Sequence, residues 1–191
     1  MGTNKLSLTL AAALNTQMGK EAYASHIFLS YASWAEKHGY CGIANFLFRH
    51  SQEERNNMMI IIDYILRRGA EVKITSIPAP PANPLNINTC LEDVYEVELT
   101  YTKGIREIAK MSSEEKDWST YKFIQMFAKE RIEEETFAKS LLNKMEKSEA
   151  EKAEDNSINR KDKETAVTSD NSLSATNIRI QNPNINRQQQ Q

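Results

Sequence analysis

The sequence has few of the residues that interrupt helices. Its 191 residues include only six glycines and five prolines, and four of those prolines lie within residues 70–88. Long stretches without either residue favour long helices over a sheet protein, which needs frequent turns. The length is enough for one domain with a core of its own and some surplus.

The sequence also has few cysteines and a net charge near zero, and each of these features excludes a class of protein. The two cysteines, Cys41 and Cys90, form no CxxC pair, which excludes a zinc ribbon or a rubredoxin-type iron site and favours a reduced, cytoplasmic setting. A formal charge of −2 provides no basic surface for nucleic acid or an anionic membrane. No apolar run approaches the roughly 20 residues that span a bilayer.

Four segments carry the three-and-four spacing of apolar residues that is typical of amphipathic helices. The predicted helices run over residues 6–37, 42–68, 89–110 and 116–147. Thr89 is the predicted N-cap of the third helix. Residues 5–14 also resemble a short signal peptide, but their apolar positions continue in register into the first helix, to which we assign them.

Two segments fall outside this pattern. Residues 70–88 form a long connection, as required in a bundle where one crossover travels along the side. Residues 148–191 are rich in Asn, Gln, Ser and charge, so we predict a disordered tail. The predicted fold class is therefore all-α, a four-helix bundle over residues 1–147.

Each predicted helix carries one glutamate on the stripe that faces the bundle interior. These glutamates are Glu21, Glu54, Glu98 and Glu134, and their neighbours on each stripe are mostly apolar. For a single helix, an exposed glutamate on a stripe assigned one position out of phase is the simpler interpretation. Four such residues near the middle of four helices favour a shared site.

The heights of these glutamates predict the topology. At about 1.5 Å per residue, an up-down-down-up order brings all four to one level, whereas an up-down-up-down order displaces Glu98 from Glu21 by roughly 10 Å. Carboxylates gathered in a bundle interior need protons, a cation or a metal ion, because they repel one another and lose hydration. Carboxylate oxygens with an imidazole suit Fe(II) or Mn(II).

The residues around these glutamates resemble the motifs of bacterial non-haem ferritins. The resemblance extends over residues 10–145 nearly continuously. Its motifs are Leu14-Asn15-x-x-Met18-x-x-Glu21-x-Tyr23-Ala24-Ser25, Ser51-Gln52-Glu53-Glu54-x-x-x-Met58 and Glu130-x-x-Glu133-Glu134-Glu135. It implies a ferritin-like bundle, subunits that form a hollow shell of about 24 copies, oxidation of Fe(II) and storage of ferric iron, without haem.

The resemblance also implies roles for individual acidic residues. The retained ligands of a di-iron centre would be Glu21, Glu54, Glu98 and Glu134. A third iron site toward the cavity would use Glu53, Glu130 and Glu133.

Three residues depart from the family pattern at that centre. Asn57 replaces the histidine of a Glu-x-x-His motif, Arg131 replaces a glutamine, and Phe28 replaces a tyrosine. Arg131 matters most, because a guanidinium stays charged and cannot bind a metal ion. Pointing inward, Arg131 would pair with the glutamates in the space of the second iron; pointing outward, it would leave the centre open. We predict the inward orientation, since the glutamates need a cation.

The sequence therefore predicts an iron-storage subunit with impaired or lost Fe(II) oxidation. The alternative is a non-catalytic subunit that co-assembles with an active ferritin. Either would be a cytoplasmic oligomer that binds neither nucleic acid nor a membrane. His50, one turn before Glu54 on the inner stripe, is a weak candidate for a replacement ligand; a core histidine is the simpler interpretation.

Overall fold

The computed structural model describes residues 5–147, with side chains described as far as Lys144. They form four helices: α1 (Leu8–Lys37), α2 (Cys41–Arg67), α3 (Ile87–Glu114) and α4 (Trp118–Lys147). The predicted all-α class is confirmed, and none of these helices is long and apolar enough to cross a membrane. The tail of residues 148–191 lies outside the described part of the chain, so its disorder stays a prediction.

Helix α3 differs from the sequence prediction at both ends. Its N-cap is Asn86 and not Thr89, because Asn86 Oδ1 accepts a hydrogen bond from Thr89 N at 2.9 Å. The helix also continues past Lys110 to Glu114, since no glycine or proline stops it there. The chain turns only at Lys116, with a φ of 57°. The other predicted ends agree to within about two residues.

Contacts between helix ends give the predicted up-down-down-up order. Leu6 N donates to Arg68 O at 3.2 Å, so α1 starts beside the end of α2. Arg68 Nη2 donates to Asp117 Oδ2 at 2.8 Å, which brings the end of α2 to the start of α4. Tyr31 OH, near the end of α1, donates to Asp93 Oδ2 near the start of α3 at 2.8 Å. Helix α1 is therefore antiparallel to α2 and α3, and α4 is antiparallel to α2.

The bundle core consists of two apolar parts with a polar layer between them. One part joins the end of α1 to the start of α2, and its buried residues include Phe28, Tyr31, Phe46 and Leu91. The other joins the start of α1 to the end of α2, and its buried residues include Leu10, Ile61, Ile105 and Phe127. The four glutamates and His50, which the sequence placed on the inner stripes, are all buried. The polar layer is where the predicted glutamates lie.

Residues 68–86 connect α2 to α3, close to the predicted crossover of residues 70–88. Asn15 on α1 holds this segment in place. Its Nδ2 donates to Glu71 O at 3.0 Å, and its Oδ1 accepts from Lys73 N at 2.7 Å. One side-chain amide therefore satisfies two backbone groups of a segment without regular structure.

Asn15→Ala should weaken the attachment of the crossover. Losing two backbone partners is expected to cost about 1–2 kcal/mol in the free energy of unfolding, measured by chemical denaturation. The Lys73 amide should exchange its hydrogen faster, because it loses its acceptor. The control is Thr16→Ala, since the Thr16 hydroxyl donates to Ala12 O within α1. Equal Lys73 exchange rates in the two variants would contradict this role for Asn15.

Candidate metal centre

The four glutamates of the inner stripes meet at mid-height in the bundle. Glu21, Glu54 and Glu98 are fully buried, and Glu134 is 8% exposed. Each comes from a different helix, and all four carboxylates lie within ion-pair distance of one side chain, Arg131. The structure thus brings together the residues that the sequence predicted at one level.

Arg131 points into the bundle and is itself fully buried. Its Nη1 and Nη2 donate to the two oxygens of Glu54, each at 2.6 Å, which is a bidentate pair. Nη2 also donates to Glu21 Oε2 at 2.9 Å, and Nη1 donates to Glu98 Oε2 at 3.2 Å. Glu134 Oε2 lies 3.1 Å from Nη1. The predicted inward orientation is confirmed.

Two residues that the sequence analysis did not single out support Glu21. Gln17, one turn earlier on α1 and buried, donates from Nε2 to Glu21 Oε1 at 2.7 Å. Gly104 on α3 leaves room for it, since a Cβ there would lie 2.3 Å from Gln17 Oε1. The sequence does carry a signal of this contact, because Gly104 lies inside a predicted helix. A glycine there lowers helix stability by roughly 0.5–1 kcal/mol relative to alanine, so it indicates a close contact.

His50 on α2 lies on the other side of the glutamate cluster. Its Nδ1 is hydrogen-bonded to Glu53 Oε2 at 2.8 Å, whereas its Nε2 lies 3.4 Å from Glu98 Oε1 without a hydrogen bond. The ring packs against Phe28 and Phe46, with centroids 5.4 and 4.6 Å away. His50 is buried, as the core interpretation required, but it also contacts two carboxylates.

The other residues that depart from the family pattern are also buried. Phe28 is fully enclosed, and Asn57 is 4% exposed. Asn57 Nδ2 has no hydrogen-bond partner. Residue 57 therefore offers neither an imidazole nor a satisfied amide to the centre.

The three acidic residues of the predicted cavity site are less enclosed. The Glu53 side chain is 37% exposed and contacts His50. Glu130 is half-buried, and Glu133 is exposed and lies 4.0 Å from Lys129. Among the described residues, the groups close enough to share a metal ion are His50, Glu53 and Glu134, and Glu54, Glu98 and Glu134. Neither group includes Glu130 or Glu133.

The carboxylates differ in how they tolerate burial. Burial raises the pKa of Glu21 well above its usual value, and the neighbouring Glu54 raises it further. Burial would also raise the pKa of Glu54, but the positive charge of Arg131 outweighs this effect, so the pKa of Glu54 is lowered. Burial raises the pKa of Glu134 to about 8. The raised pKa values of Glu21 and Glu134 favour their protonated forms, which limits the negative charge that Arg131 must balance.

The carboxylates around His50 favour its protonated form. Burial alone would lower its pKa, but the contacts with Glu53 and Glu98 raise it well above the usual value. Arg131 keeps its charge in the same way, because the surrounding carboxylates outweigh its burial. The carboxylates of the buried layer therefore favour the charged forms of both Arg131 and His50.

Comparisons with known proteins agree with the four-helix fold. The family model described as "Ferritin-like domain" matches residues 11–148. A "Probable bacterial non-heme ferritin-like protein" of Haemophilus influenzae is 34% identical over 140 residues, which is 73% of this chain and 85% of that protein. A "Bacterial non-heme ferritin" of Escherichia coli is 32% identical over 132 residues, or 69% and 80%.

The chain belongs to the ferritin family. A solved structure agrees, the open pore ferritin of the archaeon Archaeoglobus fulgidus, with a TM-score of 0.78 and 32% identity. The match covers 82% of this chain and 98% of that one. As a ferritin-family bundle, the chain keeps four buried glutamates but places a guanidinium among them. The same carboxylate oxygens cannot bind that guanidinium and a pair of metal ions together.

Arg131→Ala should destabilise the metal-free protein strongly. Removing one partner of a buried ion pair typically costs about 3–5 kcal/mol, because the other charge is left buried and alone. The free energy of unfolding is measured by chemical denaturation. Lys129→Ala on the same helix is the control, since Lys129 is exposed and its pair with Glu133 should contribute less than about 1 kcal/mol.

The loss of stability in Arg131→Ala should also depend on pH. The pKa of Glu54 is lowered from its ordinary 4.5 in the folded protein. Its contribution to the stability of the fold is therefore present above pH 4.5 and is lost as the pH falls below that value. Arg131 is the largest source of this lowering, and Glu21 and His50 contribute to it. Without Arg131, burial raises the pKa of Glu54 in the variant, so the difference in stability between native and Arg131→Ala protein should shrink as the pH falls toward and below 4.5. A difference that stays constant from neutral to acidic pH would contradict this electrostatic account.

Proposed function

We propose that this chain is an iron-storage subunit of a ferritin-type shell in which Fe(II) oxidation is impaired or lost. The proposal depends on one observation, the guanidinium of Arg131 among Glu21, Glu54, Glu98 and Glu134. A guanidinium supplies one positive charge, where two Fe(II) ions would supply about four. Arg131 thus replaces part of the metal charge and occupies oxygens that the second iron would need.

Asn57 and Phe28 support the same conclusion. Asn57 offers a neutral amide oxygen in place of an imidazole, which is a weaker ligand for Fe(II). Phe28 is fully buried beside His50 and has no hydroxyl that could bond a ligand. All three departures weaken oxidation, and none of them removes the glutamates.

Iron would still bind through carboxylates. Within the bundle, we propose Glu21, Glu54, Glu98 and Glu134 as the weakened centre. Toward the cavity, we propose Glu53, Glu130 and Glu133 as sites where ferric mineral grows. The ferritin relatives support a cytoplasmic homo-oligomer of about 24 subunits that stores iron without haem.

Restoring the family's ligands should restore oxidation. The native protein is expected to oxidise Fe(II) slowly, without a fast initial phase, in stopped-flow absorbance measurements. Asn57→His combined with Arg131→Gln should produce a fast phase of about two Fe(II) ions per subunit, because a neutral amide and an imidazole replace the guanidinium and Asn57. Each single substitution serves as a control and should restore less. A fast phase in the native protein would show that the centre works despite Arg131.

Storage is tested separately from oxidation. The purified protein is loaded with Fe(II) in air and examined by size-exclusion chromatography and electron microscopy. We expect a hollow shell that retains iron in its cavity. Glu53→Gln/Glu130→Gln/Glu133→Gln should retain less, with Glu135→Gln as the matched control. Monomers or dimers without retained iron would rule out the storage proposal.

A non-catalytic subunit that co-assembles with an active ferritin is the second candidate. Arg131 and Asn57 favour it, because they give a subunit that fills a place in the shell without its own oxidation centre. Co-expression with an active ferritin from the same genome should yield mixed shells whose oxidation rate per shell falls with the share of this chain. Separate homogeneous shells, or a genome without a second ferritin, would argue against it.

A further inference from the structure

A cleft lies on the face of α1 opposite Glu21, away from the glutamate layer. Residues 5–23 form one side of it, and residues 69–78 of the connection between α2 and α3 form the other. Its volume is about 860 Å³, within the roughly 300–1,000 Å³ that is usual for pockets that bind small molecules. The cleft is therefore large enough to hold a small organic ligand.

Both sides of this cleft are held in place by contacts within the chain. Asn15 on α1 is hydrogen-bonded to the backbone of Glu71 and of Lys73. Farther along α1, a Cβ on Gly19 would lie 3.9 Å from Thr75 Oγ1, so the connection passes close to the helix there as well. Backbone atoms also join the start of α1 to the end of α2. A ligand would thus meet a cleft that is already formed, which lowers the entropic cost of binding.

Most of the surface inside the cleft is apolar. Leu6 is buried with 5% of its surface exposed, whereas Leu8 is 90% exposed. Covering an exposed aliphatic side chain is favourable, because it removes apolar surface from water. An aliphatic chain lying along α1 would therefore be stabilised. The apolar residues that line the cleft are Leu6, Leu8, Ala11, Ala12, Ala70 and Pro78.

The charged groups of the cleft are mostly positive. Lys5, Lys20 and Lys73 line it, and Glu71 is the only acidic residue among the described residues that do so. A lysine can lay its aliphatic stem along an apolar surface and keep its ammonium group at the edge. Ammonium groups beside an apolar cleft favour a ligand with an aliphatic chain and a negatively charged head.

We propose that this cleft binds an amphipathic monoanion of the fatty-acid type. The aliphatic chain would lie along α1, and the carboxylate would lie between the lysines. The inference goes beyond iron storage and does not depend on it, because the cleft shares no residue with the glutamate layer. A second copy of this chain seated on the same surface is the competing occupant.

The test is a calorimetric titration of the purified full-length protein with decanoate, below the concentration at which decanoate forms micelles. We expect one decanoate per subunit, with an affinity that falls as salt is added, because salt screens exposed charges. Decyltrimethylammonium has the same chain length and the opposite charge, so it should bind more weakly. Equal binding of the two amphiphiles would overturn the proposal, since it would indicate unspecific adsorption.

Two lysines of the cleft test the part played by charge. Lys20→Gln/Lys73→Gln should lower the affinity for decanoate on the order of 3–10-fold, as expected for the loss of two exposed ion pairs. Lys103→Gln/Lys122→Gln is the matched control, because it removes the same charge from exposed positions outside the cleft. Equal losses in the two variants would overturn the proposal, because they would reflect net charge alone.

Filling the cleft tests its location. Ala12 is exposed, so Ala12→Phe should leave the helical circular dichroism unchanged while its ring blocks decanoate. Ser33→Phe, on an exposed position of α1 outside the cleft, should bind as the native protein does. In the native protein, decanoate should slow hydrogen exchange of the amides of residues 69–78.

Three results would overturn the site. The first is unchanged binding by folded Ala12→Phe. The second is binding without slower exchange in residues 69–78. The third is a native protein that binds no decanoate; an assembly that changes size in Ala12→Phe would then assign the cleft to a second copy of the chain.

Discussion

The contact between the Arg131 guanidinium and four buried carboxylates determines the rest of this centre. Its bidentate pair with Glu54 joins α4 to α2, and its contacts with Glu21 and Glu98 reach α1 and α3. One side chain therefore links all four helices at a single level. Desolvation offsets much of the electrostatic gain of such a group, so its main contribution is to fix how the helices meet.

The two apolar parts of the core explain why a charged layer can persist between them. They enclose the bundle on both sides of the glutamates, and residues such as Phe28 and Phe127 exclude water. A carboxylate held there must be protonated, paired or bound to metal. In this chain, burial raises the pKa of Glu21 and of Glu134, which favours their protonated forms, and Glu54 is paired with Arg131.

This balance is uneven across the layer. Arg131 occupies one side with a charge that cannot be removed, whereas His50 supplies the other side with a charge that depends on a proton. On our proposed function, the side that Arg131 occupies has lost the capacity for a second iron.

Much of this molecule follows from the sequence by itself. The helices, their up-down-down-up order and the inward glutamates were predictable, because hydrophobic periodicity and helical rise are properties of each segment alone. Arg131 could be placed on the inner stripe of its helix for the same reason. The predicted N-cap of α3 was wrong. Asn86 and Thr89 are both suitable N-cap residues, and only the local geometry selects Asn86.

Only the tertiary structure decided what the long side chains contact. Arg131 could have reached solvent, and its inward position depends on carboxylates from three other helices. His50 has one partner on its own helix and another on α3, while Gln17 depends on the space left by Gly104. Such contacts join residues far apart in the chain, so no local pattern contains them. They form only when packed helices exclude water, which makes every buried charge require a partner.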